Sequence, residues 1–273
     1  MGLRVNTNIA ALNAARTLQQ STLDLNRSLE RLSSGLRINR ARDDAAGLAI
    51  AENLRSVVRG TQVAQRNAQD GIALVQTAEG GLNTVADIVQ RIRELAVQAA
   101  NGSLSNDNRA SLQGEVTQLV AQVDAIASDT EFNGVTVLDS GLVTDLQVGA
   151  RQGQTITLDL SDFRSRSQDI GVNNIDISTQ AGAQDALTDL DTAINNVSTR
   201  RATLGAIQNR IEFTVQTLQI QEQNSAFSES QIRDADIARE TIQFTRNQIL
   251  LSAGTSVLAQ SNVVPQTALQ LLG

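Results

Sequence analysis

The 273-residue chain contains no Cys, His, Lys, Trp or Tyr, five Phe, and a single proline, Pro265. Without Cys and His, thiol nucleophiles, disulfides, imidazole bases and most zinc sites are excluded. Without Lys, Schiff-base amines and the P-loop ammonium are excluded as well. Proline is the residue that most strongly breaks helix interiors, so its near absence permits long helices. Their cores must be built from Leu, Ile, Val and Ala.

Charge is unevenly distributed along the chain, whose net charge is −7. Residues 1–100 carry 12 Arg against 9 acids, residues 101–200 carry 5 against 14, and residues 201–273 carry 5 against 6. An acidic chain so poor in aromatic residues is a poor candidate for binding nucleic acid. It also lacks an 18-residue apolar run and a signal-peptide core, so we expect neither membrane insertion nor a cleaved leader.

The two ends of the chain share a low charge and regularly spaced aliphatic residues. Residues 247–273 have no charged side chain, and Arg4 and Arg16 are the only charges in residues 2–23. Burying the aliphatics of the tail alone does not offset the entropy lost on ordering it. We therefore predict that the ends order by pairing with each other and with neighbouring copies. The predicted polymerisation residues are Val5, Ile9, Leu12, Leu18, Leu25, Ile249, Leu250, Val257, Leu258 and Leu269.

Apolar residues at alternating spacings of three and four predict four helices, at 5–34, 44–100, 106–129 and 182–235. Gly35 is expected to take the left-handed conformation that ends the first of them. Alternation of apolar and polar residues in 146–148 and 155–160 predicts a β-hairpin, whereas the polar residues 161–182 predict an irregular return.

The long heptad pattern of the last predicted helix requires an apolar partner, and helix 44–100, lying antiparallel, supplies it. The predicted fold is therefore mainly α: an elongated antiparallel helical coiled-coil rod with a small β-hairpin region and paired terminal helices. Residues 1–43 plus 236–273 are predicted to form a terminal-helix coiled-coil domain with its connection. Residues 44–235 form the rod domain, with the hairpin near 135–160, and no further outer domain is expected.

Several stretches of this chain closely resemble bacterial flagellin, in the family's order and over nearly the whole length. They include NTNIAALNA (6–14), LERLSSGLRINRARDDAAGLAIAENLR (29–55), QDGIALVQTAEG (69–80), QRIRELAVQAANG (90–102), EFNGVTVL (131–138), LGAIQNRIEF (204–213), SQIRDADIARE (230–240) and NQILLSAGTSVLAQSNVVPQTALQLL (247–272). Only 22 residues separate Leu160 from Ala183, so the resemblance is to a short form without variable outer domains.

The resemblance implies a secreted, extracellular structural subunit that polymerises with itself into the bacterial flagellar filament for swimming. In the family the terminal helices form an inner tube and the rod forms an outer tube. The subunit leaves the cell unfolded through a type III export apparatus. Its implied partners are an export chaperone on the C-terminal segment, the hook-associated proteins and the cap protein.

The resemblance also implies two contacts with host immune receptors. The first, with a Toll-like receptor, involves Arg91, Leu95 and Glu115; the alternative is that Arg91 and Glu115 form an ordinary solvated pair between helices. The second, with a cytosolic sensor, involves Leu269, Leu271 and Leu272.

Three other classes of protein remain as alternatives. An enzyme would have to use carboxylate pairs such as Asp43/Asp44, Asp189/Asp191 or Asp234/Asp236, which lie on or beside predicted helices without a further ligand type, so we expect no enzymatic activity, no cofactor and no metal site. A hook–filament junction protein shares the end motifs but matches the segment around residues 32–50 less well. A monomeric secreted coiled-coil effector or adhesin would not form long polymers.

Overall fold

The computed structural model describes the backbone of residues 8–270 and the side chains of residues 8–263. The chain is mainly helical, which confirms the predicted fold class. In order, its elements are α1 (Ile9–Ser34), α2 (Ala45–Ala99), α3 (Asn106–Asp129), β1 (Glu131–Phe132), β2 (Val135–Thr136), β3 (Val143–Gln147), β4 (Thr155–Asp159), a 3-10 turn (Ser161–Phe163), α4 (Ser167–Ile170), α5 (Gln180–Arg233) and α6 (Ile237–Gln270).

These elements belong to two compact units. The middle unit is Val57–Gln223, and the terminal unit combines the described residues up to Ser56 with those from Asn224 onward. Both units are built on long helices, and each has its own packing.

In the middle unit, α2 and α5 run antiparallel, as the heptad pattern predicts. Near one end of the pair, the side-chain amide of Gln62 donates to Glu222 Oε1 (2.7 Å). Near the other, Arg93 Nε donates to Asp191 Oδ1 (2.7 Å). The earlier residue of α2, Gln62, thus contacts the later residue of α5, Glu222, and the later residue of α2, Arg93, contacts the earlier residue of α5, Asp191. The two helices are therefore antiparallel.

The core between these helices follows a seven-residue repeat on both of them. Six positions of α5 are buried at this spacing: Ala183, Leu190, Val197, Leu204, Ile211 and Leu218. Six positions of α2 follow the same rule: Thr61, Ala68, Val75, Leu82, Val89 and Ala96. A strict repeat of seven keeps one apolar seam facing the partner helix, which is the geometry of a coiled coil.

The hairpin β3–β4 pairs antiparallel, with Gln147 opposite Thr155 next to the turn. It approaches α2 at two glycines: a Cβ on Gly60 would lie 2.8 Å from the Cβ of Ala150, and one on Gly71 would meet the side chain of Leu146. These glycines therefore make room for the hairpin. Gly80, by contrast, faces nothing within 4 Å.

The segment 161–182 differs from the predicted irregular polar return. It contains the 3-10 turn, α4 and the start of α5, and it buries several apolar side chains in the core, among them Phe163, Ile170, Val172 and Ile177. Polar side chains of α3 hold it in place. Gln113 donates to Ile175 O (3.0 Å) and accepts from Ile177 N (2.7 Å). The carboxylate of Asp124 accepts from both Ser167 N and Ser167 Oγ (2.8 and 3.0 Å).

In the terminal unit, α1 packs along α6. Asn8 caps the start of α1 through its side chain, which accepts from Ala11 N, and its amide also donates to Ser261 O (2.7 Å). Towards the other end of α1, Arg31 pairs with Glu240 (3.7 Å). The two helices are thus antiparallel, and α1 ends at Gly35, whose φ of 70° is the predicted left-handed cap.

Candidate functional site

The paired terminal helices expose a large aliphatic surface. Ile9 and Leu12 on α1 and Ile249, Leu250 and Val257 on α6 are each 50–63% exposed. Single exposed apolar residues are normal on a protein surface, but contiguous apolar patches usually mark an interaction site. The aliphatic character predicted for the two ends is therefore presented largely to solvent in the single chain.

The other predicted polymerisation residues have different environments. Leu18, Leu25 and Leu258 are half-buried, and Leu18 lies against Gly254 of α6. Val5 lies outside the described residues. Leu269 belongs to the last part of α6, where only the backbone is described.

Small side chains are the most deeply buried residues in the seam between α1 and α6. Ser21 and Ser28, seven residues apart on α1, are the buried positions of that helix. At Gly254 a Cβ would approach Leu18 Cδ1 to 3.1 Å. Because small residues let two helices approach closely, the pair can form a tight seam while Ile9, Leu12, Ile249, Leu250 and Val257 remain exposed.

Backbone hydrogen bonds fix the base of this helix pair. Ala235 N donates to Gly35 O (2.9 Å), and Arg37 N donates to Arg233 O (2.7 Å). They tie the connection after α1 to the junction between α5 and α6. The carboxylate of Asp236 then caps α6 by accepting from the N–H of Ala238 (3.0 Å).

The Arg-rich connection 35–43 makes its polar contacts within the terminal unit. Arg40 Nε donates to Glu30 (2.8 Å). Asp43 Oδ2 accepts from the backbone N–H of Asn39 and Arg40 (3.3 and 3.0 Å). Partial burial raises the pKa of Asp43, but these two hydrogen bonds, with the nearby guanidinium of Arg42, outweigh it and hold the pKa below its ordinary value of 3.8.

The three carboxylate pairs considered for enzymatic chemistry have structural contacts. Asp44 accepts from Gly47 N (2.8 Å) at the start of α2, and Asp191 binds Arg93. Within the described residues, no three acidic groups lie close enough together to hold a metal ion.

The predicted receptor residues do not share one surface. Arg91 pairs with Glu115 on α3 (2.9 Å) and with Glu94 (3.1 Å), and both partners of the Arg91–Glu115 pair are about half exposed. Leu95 is only 2% exposed and belongs to the core. Of the three, only Arg91 and Glu115 are therefore accessible at the surface, and Leu95 lies in the core beneath them. Leu271 and Leu272 lie outside the described residues.

One structural side chain was not found from the sequence. Arg109 is 5% exposed; its guanidinium donates to Ala99 O (2.7 Å) and Asn101 O (2.9 Å) at the end of α2. A cation that hydrogen-bonds the last carbonyls of a helix stabilises its C-terminus. No spacing in the sequence distinguishes Arg109 from a solvated arginine.

An antiparallel coiled coil, together with terminal helices that expose aliphatic side chains, defines a helical structural subunit that assembles with other subunits. The family model described as the bacterial flagellin N-terminal helical region matches residues 5–141, and the one described as the C-terminal helical region matches residues 187–272. The chain belongs to the bacterial flagellin family.

Relatives match almost the full length. The chain is 45% identical over 269 residues to a flagellin of Halalkalibacterium halodurans, covering 98% of this chain and 99% of the relative. It is 41% identical over 303 residues to a flagellin of Bacillus subtilis (99% and 100% covered), and 41% identical over 283 residues to the flagellar filament 33 kDa core protein of Treponema phagedenis (98% and 99%). These relatives show that the chain is a structural subunit of the flagellar filament.

Solved structures agree with this assignment. The crystal structure of Bacillus cereus flagellin superposes with a TM-score of 0.50 at 32% identity, covering 56% of this chain and 88% of that one. A putative hook-associated protein of Vibrio parahaemolyticus has a TM-score of 0.56 but 16% identity, over 71% of this chain and 99% of that one, and shares the fold alone. Among the described residues, no helix has the length and hydropathy needed to cross a bilayer.

Proposed function

We propose that the exposed aliphatic face of α1 and α6 is the surface through which copies of this chain polymerise. Residues 1–43 with 236–273 then form an inner tube, and residues 44–235 form an outer tube around it. The observation that carries this proposal is the 50–63% exposure of Ile9, Leu12, Ile249, Leu250 and Val257 in the single chain.

The hydrophobic effect favours covering this face. Fully burying one such side chain contributes about 1.5–3 kcal/mol, and several of them lie along the two helices. Charge does not oppose the contact, because residues 247–273 carry none. Every copy presents the same two helices, so the exposed aliphatic residues of one copy can be covered by those of the next in a repeating assembly.

Charge introduced on this face tests the proposal. Val257→Asp and Ile249→Asp place a carboxylate where the polymer would be dry, at a cost of several kcal/mol for an unpaired buried charge. We expect monomer that keeps its helical circular dichroism but does not extend filament seeds. Val143→Asp is the matched control, because Val143 is equally exposed but lies on β3 in the middle unit. Normal filaments from both terminal variants would refute the proposal.

Export and capping partners follow from the same face. We propose that the chain is secreted through the type III route and becomes extracellular, and that a chaperone covers its C-terminal segment beforehand. In the same proposal, hook-associated proteins and the cap protein contact the two ends of the filament. The exposed aliphatics of α6 need such cover before assembly. A binding assay between the exporting cell's chaperone and the chain lacking 247–273 should show no complex; retained binding would place the chaperone site elsewhere.

A Toll-like receptor contact at Arg91 and Glu115 is a further proposal, supported by the exposed ion pair on the QRIRELAV stretch. Arg91→Ala and Glu115→Ala should lower receptor signalling by monomer in a reporter cell. Arg93→Ala is the matched control, because Arg93 lies on the same helix as Arg91 and forms a similarly exposed ion pair, with Asp191 of α5. Equal signalling by all three variants would favour the ordinary solvated pair. For the cytosolic sensor, the proposed contacts remain Leu269, Leu271 and Leu272.

A further inference from the structure

The dipeptide Asn–Gly occurs twice in this chain, at residues 101–102 and 133–134. Because glycine has no Cβ, its backbone nitrogen can approach the side-chain amide of the preceding asparagine closely. Asn101 and Asn133 are both exposed to solvent. The two asparagines therefore have the same following residue and similar access to water, and they differ in local geometry.

At Asn101 the side chain is folded back over the following peptide. Ser103 N donates to Asn101 Oδ1 (3.1 Å), which is the hydrogen bond of an Asx turn. This turn brings Asn101 Cγ next to the nitrogen of Gly102, and such positioning favours an intramolecular reaction. The Ser103 N–H also stabilises the negative charge that develops on Oδ1 when Cγ is attacked. In the part of the chain that the structure describes, Gly102 N–H donates to no backbone carbonyl, so its proton is free to leave.

At Asn133 the backbone is held in a different conformation. Asn133 and Gly134 form the two-residue turn between β1 and β2, with φ angles of 51° and 76°. Phe132 pairs with Val135 on either side of them, which is the left-handed arrangement of a tight hairpin turn. Ring closure between Gly134 N and Asn133 Cγ requires rotation about the Asn133 Cα–C bond, and the paired strands resist that rotation.

We propose that Asn101 is a site of spontaneous deamidation that reacts faster than Asn133 and needs only water. Gly102 N loses its proton to solvent base and bonds to Asn101 Cγ; the Cγ–Nδ2 bond breaks, and the amide nitrogen takes a proton from water and leaves as ammonia. Water then opens the cyclic imide at one of its two carbonyls. Opening at Cγ gives aspartate, and opening at the main-chain carbonyl gives isoaspartate, in which the chain runs through the former side chain. The reaction does not depend on the proposed polymerisation.

Deamidation at this position changes the surroundings of Arg109. Its guanidinium donates to Ala99 O (2.7 Å) and Asn101 O (2.9 Å), and among the described residues it forms no ion pair. Aspartate at position 101 adds a carboxylate near this buried cation. Isoaspartate lengthens the main chain by one methylene and moves the carbonyl that Arg109 holds, so the end of α2 loses part of its cap.

Peptide mapping of the full chain, stored as monomer in mildly alkaline buffer, tests the proposal. Trypsin cleaves after arginine, so Asn101 falls in the peptide 94–109 and Asn133 in the peptide 110–151. Replacement of the amide –NH2 by –OH raises the peptide mass, and fragment ions separate Asn101 from the other asparagines of its peptide. We expect Asn101 to convert roughly tenfold faster than Asn133. A rate at Asn101 that does not exceed the rate at Asn133 would overturn the proposal.

Gly102→Ala separates this route from direct attack of water on the amide. Gly102 does not have a positive φ, and a Cβ there would lie 3.5 Å from Gln180 Nε2, which is an ordinary contact. The melting temperature of the monomer should therefore not fall. The added methyl group crowds the attacking nitrogen, so conversion at Asn101 should become slower than at Asn133, whose own glycine is unchanged. An unchanged rate at Asn101 in this variant would overturn the proposal.

Thermal melting of fresh and stored chains measures the effect on Arg109. We expect the stored parent, in which an isoaspartate-specific methyltransferase labels residue 101, to melt below the fresh parent. Fresh Asn101→Asp has the new carboxylate but a main chain of normal length, and should not show this loss. Stored Gly102→Ala controls for every other change during storage, and an equal loss of melting temperature in that variant would refute the effect on Arg109.

Discussion

The two units of this chain use similar helices and aliphatic residues but arrange them differently. In the middle unit, α2, α3, α5 and the hairpin surround a shared core, and Leu82, Val89, Leu190 and Leu204 are fully buried. In the described part of the terminal unit, α1 pairs along its length with α6, and the buried positions of α1 in their seam are as small as Ser21 and Ser28. Two helices can hide only one stripe each, so the remaining aliphatics face solvent.

The difference separates folding from assembly. Apolar burial is the dominant favourable contribution to a stable domain, and the middle unit obtains it within one copy. The terminal unit leaves much of this contribution to contacts with other copies. Substitutions in the two units should therefore change different measured quantities: thermal stability of the monomer for the middle unit, and polymer formation for the terminal unit.

Deletion of residues 247–273 should have the largest effect. It removes Ile249, Leu250 and Val257, and with them much of the exposed face of α6, so we expect complete loss of filaments from seeded monomer. The middle unit keeps its core, and its helical signal should melt near the parent temperature. If electron microscopy of the truncated chain showed polymers of normal length, the terminal unit would not be the part of the chain on which assembly depends.

Matched leucine truncations should sharpen the contrast. Leu204→Ala removes a fully buried side chain of the middle unit and should lower the free energy of unfolding by about 2–5 kcal/mol. Leu12→Ala removes a side chain that is 63% exposed, so monomer stability should hardly change while the critical concentration for growth rises. Chemical denaturation and seeded growth measure the two effects. A large loss of monomer stability in Leu12→Ala would show that the terminal face already contributes to folding.

Because the hairpin lies close to α2, alanine substitutions at two glycines of that helix should change the stability of the monomer in opposite directions, by smaller amounts. Gly60→Ala puts a Cβ 2.8 Å from that of Ala150, which should cost about 1–3 kcal/mol through overpacking. Gly80→Ala meets nothing within 4 Å and should stabilise α2 by about 0.5–1 kcal/mol. Thermal melts of the two variants provide the comparison, and equal shifts would mean that the hairpin is not held against α2 in solution.

Acid should give the smallest effect, and in the terminal unit it should act at Asp43. Because the pKa of Asp43 is lower in the folded chain than its ordinary value of 3.8, its carboxylate stabilises the fold above that pH. The contribution is lost as the pH falls through the folded pKa. The protection of the Asn39 and Arg40 amides against exchange, relative to the intrinsic rate at each pH, should therefore fall below about pH 3.8. In Asp43→Asn the exchange should lack this acid step; an unaltered step would assign it to another group.

Sequence periodicity was sufficient for the long helices, because one seven-residue repeat decides both their existence and their buried side. Leu190, Val197 and Leu204 confirm this for α5, and the observed bounds of α3, Asn106–Asp129, agree with those predicted. The short helices and buried side chains of segment 161–182 were not predicted, since the segment is held by Gln113 and Asp124 of α3, which are distant in sequence. Leu95 was assigned to a surface because a motif does not indicate burial.

The seven-residue repeat also makes the length of α5 a discrete quantity. Adding one residue in its middle would turn every later position by about 100°, moving Ile211 and Leu218 off the seam with α2. Adding seven would turn them by only about 20° relative to a straight helix, within the range that supercoiling absorbs. Tolerated insertions and deletions in the middle of this helix should therefore come in whole heptads.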